Sequence, residues 1–213
     1  MLLLETLTAK AREVGWASGK AAIRQIQREA ERLGWTTIPN RRGSEPATVL
    51  RPTTQADASP ASLSAVYGLD DQPLHTDGAH LRTTPDVVIL HCTVPSATST
   101  RAWKFAGEGA PWNALRHGMF IVRNYDESFF APALTGRVFR FDPACMSACD
   151  DRAFEVLDFF AQRLDESAEH RWIEEDTVLV LDNHSTLHAR SKVVSDDLGR
   201  ELTRLAFKTS AAQ

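Results

Sequence analysis

Gln72-Pro73-Leu74-His75-Thr76-Asp77-Gly78-Ala79-His80 lies between a Ser-, Thr-, Ala- and Pro-rich loop, Thr53 to Ser64, and the β-branched apolar run Val87-Val88-Ile89-Leu90. The run has the composition of a buried strand. If the chain is extended at His75, residues i and i+2 project to the same side, so the imidazole of His75 and the carboxylate of Asp77 converge on one point. Iron(II) accepts both ligand types, and a second, distant histidine would complete a facial triad that leaves positions open. Taken alone, a His-x-Asp triplet is more often a surface turn or a hydrogen-bonded pair than a metal site.

A second block lies about a hundred residues on, Leu179-Val180-Leu181-Asp182-Asn183-His184-Ser185-Thr186-Leu187-His188-Ala189-Arg190. Thr177 to Asp182 reads as a strongly apolar strand, which ends in Asp-Asn, turns and presents His188. A last strand follows over Glu201 to Lys208, where Arg200, Leu202 and Arg204 fall on one face. A guanidinium there can pair with a carboxylate through two parallel N–H donors.

The order His-Thr-Asp, then Asp-Asn-x-x-x-Leu-His, then Arg-x-x-x-Arg resembles the taurine dioxygenase and clavaminate synthase-like family of iron(II)/2-oxoglutarate oxygenases. The resemblance runs from about Gly43 to the C-terminus. It implies a double-stranded β-helix core of the jelly-roll, cupin-like kind, with His75, Asp77 and His188 as iron ligands. It implies that Arg200 holds the distal carboxylate of the cosubstrate 2-oxoglutarate, and that Arg204 contacts an anionic group of the substrate or braces Arg200. Thr100, in Ala97-Thr98-Ser99-Thr100, is similar to the family's Gly-Gly-x-Thr threonine, with Thr98 as its rival because the glycines are absent. Arg140-Phe141-Asp142 resembles a stretch that borders the pocket in related oxygenases. The chain departs from the family at Leu181, at His184 and at Glu174-Glu175-Asp176, which stand where an aromatic residue, an arginine and a Pro-Gly-Asp turn are usual. The segment between the metal blocks is short, which implies a reduced lid.

The implied activity is oxidation, most simply hydroxylation, of a small molecule such as an amino acid or natural-product intermediate by dioxygen, with release of succinate and CO2. A ligand carboxylate, Asp77, favours this over halogenation. Two alternatives stay open: a zinc-dependent hydrolase using the same His/Asp/His site, and a non-catalytic relative of the oxygenases. His184 and His188 could also mimic a helical zinc pair, although the flanking Asp-Asn and Ser-Thr favour a turn. His91, in an apolar strand, reads as a hydrogen-bonded core histidine, and His80 as a residue of the pocket mouth or the surface. Trp103 and Trp112 are read first as packing residues.

The remainder of the chain sets the frame. Ala22, Ile23, Ile26, Ala30 and Leu33 recur at helical spacing, which predicts a helix from Ser18, as cap, to Leu33, ended by Gly34. A turn is expected at residues 39–44 and strands at Ala47 to Arg51, Met119 to Arg123 and Val138 to Phe141. A second helix is expected over Ala153 to Leu164, with Asp150-Asp151 at its positive end. Short strands flanked by helices predict a mainly β fold with helical buttresses. A length of 213 residues predicts one domain over 1–213, with an N-terminal helical segment at about 1–35. The net charge of −4 and scattered basic residues argue against nucleic acid or anionic membrane as partner. Cys92, Cys145 and Cys149, an odd count, favour reduced thiols in a cytoplasm. The Met1-Leu2-Leu3-Leu4 start meets Glu5 at once, too soon for a signal sequence.

Overall fold

The computed structural model describes residues 1–40, 43–60, 62–124 and 127–209. Arg41 and Arg42, within the turn expected at 39–44, lie outside them. The N-terminal part contains α1 (Leu3–Val14), β1 (Trp16–Lys20), α2 (Ile23–Arg32), β2 (Thr36–Thr37), β3 (Thr48–Leu50) and α3 (Leu63–Tyr67). The middle contains β4 (Val87–Cys92), β5 (Ser96–Lys104), α4 (Trp112–His117), β6 (Phe120–Arg123), β7 (Ser128–Ala131), β8 (Leu134–Thr135), β9 (Val138–Phe139), β10 (Met146–Ala148) and α5 (Asp151–Ala161). The C-terminal part contains β11 (Ala168–Trp172), β12 (Thr177–Asp182), β13 (Thr186–Arg190) and β14 (Leu202–Lys208). The mainly β architecture with flanking helices is as the sequence predicts.

The largest sheet has the order β1-β12-β4-β14-β2, with β3 also pairing β14. Its pairings are antiparallel, with Leu181 opposite Val88 and Leu205 opposite Ile89. Alternation sorts its side chains. Val87, Ile89, Val178, Val180, Leu205 and Phe207 face α1 and α2, where Leu4, Leu7, Ala11, Ile26 and Ala30 cover them. Val88, Leu90, Leu179, Leu181, Leu202 and Ala206 form the opposite face and pack with Ala102 and Trp172. These two belong to a second sheet of order β11-β5-β13. Arg204 falls on the same inner face as Leu202 and Ala206, so this one strand delivers a cation between the sheets. A third sheet, β10-β6-β7, closes a separate core with α4 and α5.

The helix predicted from Ser18 is corrected. Ser18 lies in β1, opposite Leu179, and α2 starts at Ile23. The reason is tertiary: β12 leaves one edge of unpaired backbone groups, and residues 16–20 satisfy it. Trp103 packs edge-on against Phe105, Phe159 and Phe160, and Trp112 against Phe105, as packing residues. No helix among the described residues is long and apolar enough to cross a membrane.

Gly15 joins α1 to β1 at φ +102°. Its carbonyl accepts from Asp182 N (3.0 Å) and Thr186 Oγ1 (2.9 Å), at the two ends of the β12–β13 turn. A Cβ there would stand 2.8 Å from Thr186 Oγ1 and 2.9 Å from Lys104 Cβ. Gly15→Ala is therefore expected to cost about 1–3 kcal/mol, from the left-handed backbone and the clash together. The shift of the urea midpoint measures it, and an unchanged midpoint would refute the packing described.

Candidate metal centre

His75 reaches the site through an isolated antiparallel bridge with His188. Each residue's N–H donates to the other's carbonyl, both at 2.9 Å. The bridge makes His75 locally extended, which lets Asp77 project to the same side. On β13, Leu187 and Ala189 point into the α4/α5 core, so His188 takes the opposite face. One ligand atom each from His75, Asp77 and His188 then lies within 4.8 Å of the others. The two imidazole rings stand 4.5 Å apart at their centroids, tilted by 45°. Among the described residues this is the one cluster of at least three such ligands.

The protonation states suit a cation. Burial, with His75 close by, pushes His188 down to about 3, so its ring is neutral at pH 7. Burial alone would raise Asp77, but the Arg204 guanidinium, through its charge and its hydrogen bond, holds it well below the usual carboxylate range. It is thus an ionised oxygen donor. His75 Nδ1 lies 3.1 Å from Pro73 O. A carbonyl can only accept, so Nδ1 carries the hydrogen and Nε2 keeps its lone pair for a metal. His188 Nδ1 is buried and has no hydrogen-bond partner among the described residues.

A cavity of about 370 Å³ opens on this cluster, large enough for a small organic acid. His75, Asp77 and His188 line it together with Thr100, Arg200 and Arg204. The six residues to which the resemblance gives a metal, cosubstrate or substrate role thus meet in one place. Arg200 keeps only 7% of its surface exposed, yet its Nε and Nη2 lack a partner among the described residues. Burial lowers its guanidinium to about 10, which leaves it cationic at neutral pH. Arg204 Nε donates to Asp77 Oδ2 at 2.7 Å, while its buried Nη1 and Nη2 are unpartnered. Of the two threonines, Thr100 borders the cavity, and its Oγ1 accepts from Trp172 Nε1 at 3.2 Å. Its own hydroxyl hydrogen stays available. Thr98 does not border that cavity.

Asp142 lines a smaller cavity of about 160 Å³, which also borders His75 and Asp77, together with His80 and Arg123. Burial raises the Asp142 carboxyl, against the opposing pull of His75. His184 does not join the metal cluster. Its Nε2 stands 2.9 Å from Asp86 Oδ1, out of line for a hydrogen bond, and Asp86 is also held by Lys208 Nζ at 2.5 Å. His91 is buried, with Nε2 3.2 Å from Asp176 Oδ1, as a core histidine. Cys92, Cys145 and Cys149 are free thiols.

Sequence reasoning missed the two clamps that hold the Asp77 loop. Arg140 donates to Ala79 O, to Leu81 O at 2.5 Å and to Arg82 O at 2.9 Å. Asn183 bonds the Asp77 backbone. Both residues fall in stretches the sequence marked, Arg140-Phe141-Asp142 and Asp182-Asn183, but their partners are far along the chain and carry no local signature.

No protein-family model and no curated protein matches the chain in sequence. Solved structures match its shape. Asparagine oxygenase, in complex with Fe(II), 2S,3S-3-hydroxyasparagine and succinate, superposes with a TM-score of 0.76 at 18% identity, over 97% of this chain and 79% of that one. OrfP, a non-heme iron oxygenase in complex with Fe and alpha-ketoglutaric acid, gives 0.67 at 16% identity, over 98% and 79%. PvcB, an Fe, alpha-ketoglutarate dependent oxygenase from an isonitrile synthetic pathway, gives 0.65 at 18% identity, over 96% and 80%. The chain shares its fold with iron- and 2-oxoglutarate-dependent oxygenases, the resemblance its two motif blocks carry.

Proposed function

We propose that this protein is an iron(II)- and 2-oxoglutarate-dependent dioxygenase that hydroxylates a small molecule and releases succinate and CO2. The observation that carries the reading is a buried, cationic Arg200 with free N–H donors in the same cavity as the His75/Asp77/His188 cluster. An unpaired buried guanidinium is costly and is expected to meet an anion. A zinc hydrolase has no use for that second anion site, and a non-catalytic relative has no need to keep both halves intact.

His75, Asp77 and His188 would hold iron(II), and their two imidazoles and one carboxylate fit its preferences. Arg200, with the Thr100 hydroxyl, would take the far carboxylate of 2-oxoglutarate, while Arg204 ties Asp77 down and offers Nη1 and Nη2 to an anionic group of the substrate. Bound iron with 2-oxoglutarate supplies oxidation of a C–H bond by dioxygen coupled to decarboxylation of the keto acid. The chain's contribution is to fix the donors, keep His188 neutral and exclude bulk water behind Leu90 and Leu202. The smaller cavity gives the substrate a second wall, where Asp142 can meet an ammonium or amide donor. That agrees with the hydroxyasparagine bound to asparagine oxygenase. The facing sheets β1-β12-β4-β14-β2 and β11-β5-β13 are read as a double-stranded β-helix, within one domain spanning 1–213 and working in the cytoplasm.

Anaerobic addition of iron(II) and 2-oxoglutarate tests the reading. A weak visible charge-transfer band is expected, followed by succinate release once oxygen is admitted with a panel of amino acids. Iron binding with neither a band nor any succinate, substrate-uncoupled turnover included, would overturn it.

A further inference from the structure

We propose that Asn183 is a positioning residue for the metal centre, holding Asp77 in its ligating pose without touching the metal; this rests on the metal-binding reading above. Asn183 is fully buried. Its Oδ1 accepts from Asp77 N at 3.0 Å, and its Nδ2 donates to Asp77 O at 3.1 Å and to Pro85 O at 2.9 Å. Its own N–H donates to Asp86 O at 3.0 Å. One carboxamide therefore grips both sides of the Asp77 backbone, and both its amide hydrogens are used.

The placement gives this grip a consequence for the site. Asn183 stands in the turn between β12 and β13, five residues before His188, so its side chain ties the segment bearing His75 and Asp77 to the hairpin bearing His188. The His75–His188 bridge secures the first imidazole, and Arg204 secures the Asp77 carboxylate at Oδ2. Asn183 secures the backbone from which that carboxylate springs. With all three in place, the donors lose little conformational freedom when a cation arrives. Outer partners of this kind set metal affinity without being ligands. Aspartate would place a second acceptor against the Asp77 and Pro85 carbonyl oxygens, so the carboxamide is specifically required.

A merely structural asparagine would change folding stability and leave metal affinity alone. Co(II) titration of the full chain, read by absorbance and by the metal-induced rise in Tm, separates the two. Asn183→Ala is expected to weaken Co(II) binding by roughly 10–100-fold and to shrink the metal-induced rise in Tm. Should Asn183→Ala fail to fold, Asn183→Asp, which keeps the acceptor and loses both donors, carries the same measurement. Folded variants with a lower Tm but an unchanged Co(II) dissociation constant overturn the inference. If the parent chain binds no Co(II), the metal reading falls and this inference with it. If the parent binds and the variants bind equally, only this inference falls.

Discussion

His188→Ala is expected to abolish iron retention, while His184→Ala leaves it within about twofold. His188 supplies one of three donor atoms that lie within 4.8 Å of one another, and its ring is neutral, buried and faces the cavity. Losing a ligand outright should exceed the roughly 10–100-fold cost of losing an outer partner. His184 is only four residues away, but its imidazole lies against Asp86, which Lys208 and the backbone N–H of Thr209 also hold. Its removal costs some stability at the start of the hairpin, not a metal donor. Equilibrium dialysis with metal analysis on both variants decides the matter. If His184→Ala strips the iron and His188→Ala keeps it, the triad is wrongly assigned.

In the sequence these two histidines differ by position: His188 follows Asp-Asn-x-x-x-Leu, beyond the turn that ends an apolar strand, whereas His184 lies in the turn itself. Thr177 to Asp182 is an uninterrupted apolar run, and the structure gives it those bounds. After it, Leu187 and Ala189 flank His188 with apolar side chains, the signature of a strand whose other face holds the histidine. Where apolar alternation is weak, legibility fails. β5 is nine residues long and central to its sheet, yet Ser96-Ala97-Thr98-Ser99-Thr100 has the composition of a loop. Its Thr98, Ser99 and Thr100 are buried among polar partners, so hydrophobicity does not mark it. α1 falls inside the helical segment expected at about 1–35, but its bounds were not drawn, for a different reason. Leu4, Leu7 and Ala11 have helical spacing, but a short amphipathic segment is stabilised by the sheet it covers, and that sheet is assembled from residues far along the chain. Ser18 failed in the same way, because β12 recruits it as an edge strand.

The site was legible in its residue types and less so in their partnerships. Arg204 was expected to meet a substrate anion or brace Arg200; its Nε also holds Asp77, which leaves Nη1 and Nη2 for any such role. No spacing rule could announce this, since residues 77 and 204 meet only after β14 pairs with β4. Of Thr98 and Thr100, likewise, only the folded chain shows that Thr100 borders the cavity.

That division of labour between the arginines shapes the second large expected effect. Arg200→Met should lower affinity for 2-oxoglutarate while leaving iron binding nearly unchanged, because no metal donor contacts Arg200. Truncating one member of a buried, hydrogen-bonded charge pair costs about 2–5 kcal/mol. At about 1.4 kcal/mol per tenfold, that is a loss of about 30-fold to several thousand-fold. Arg204 cannot substitute, since turning toward the cosubstrate would release Asp77. Arg200→Lys should recover only part of the loss, because an ammonium lacks the planar fork that grips a carboxylate through two N–H groups. Anaerobic titration of the iron-loaded variants with 2-oxoglutarate, followed by the charge-transfer band, yields the affinities. An Arg200→Met protein that binds the keto acid as tightly as the parent would show that the free guanidinium faces some other anion, and the oxygenase reading would lose the observation on which it stands.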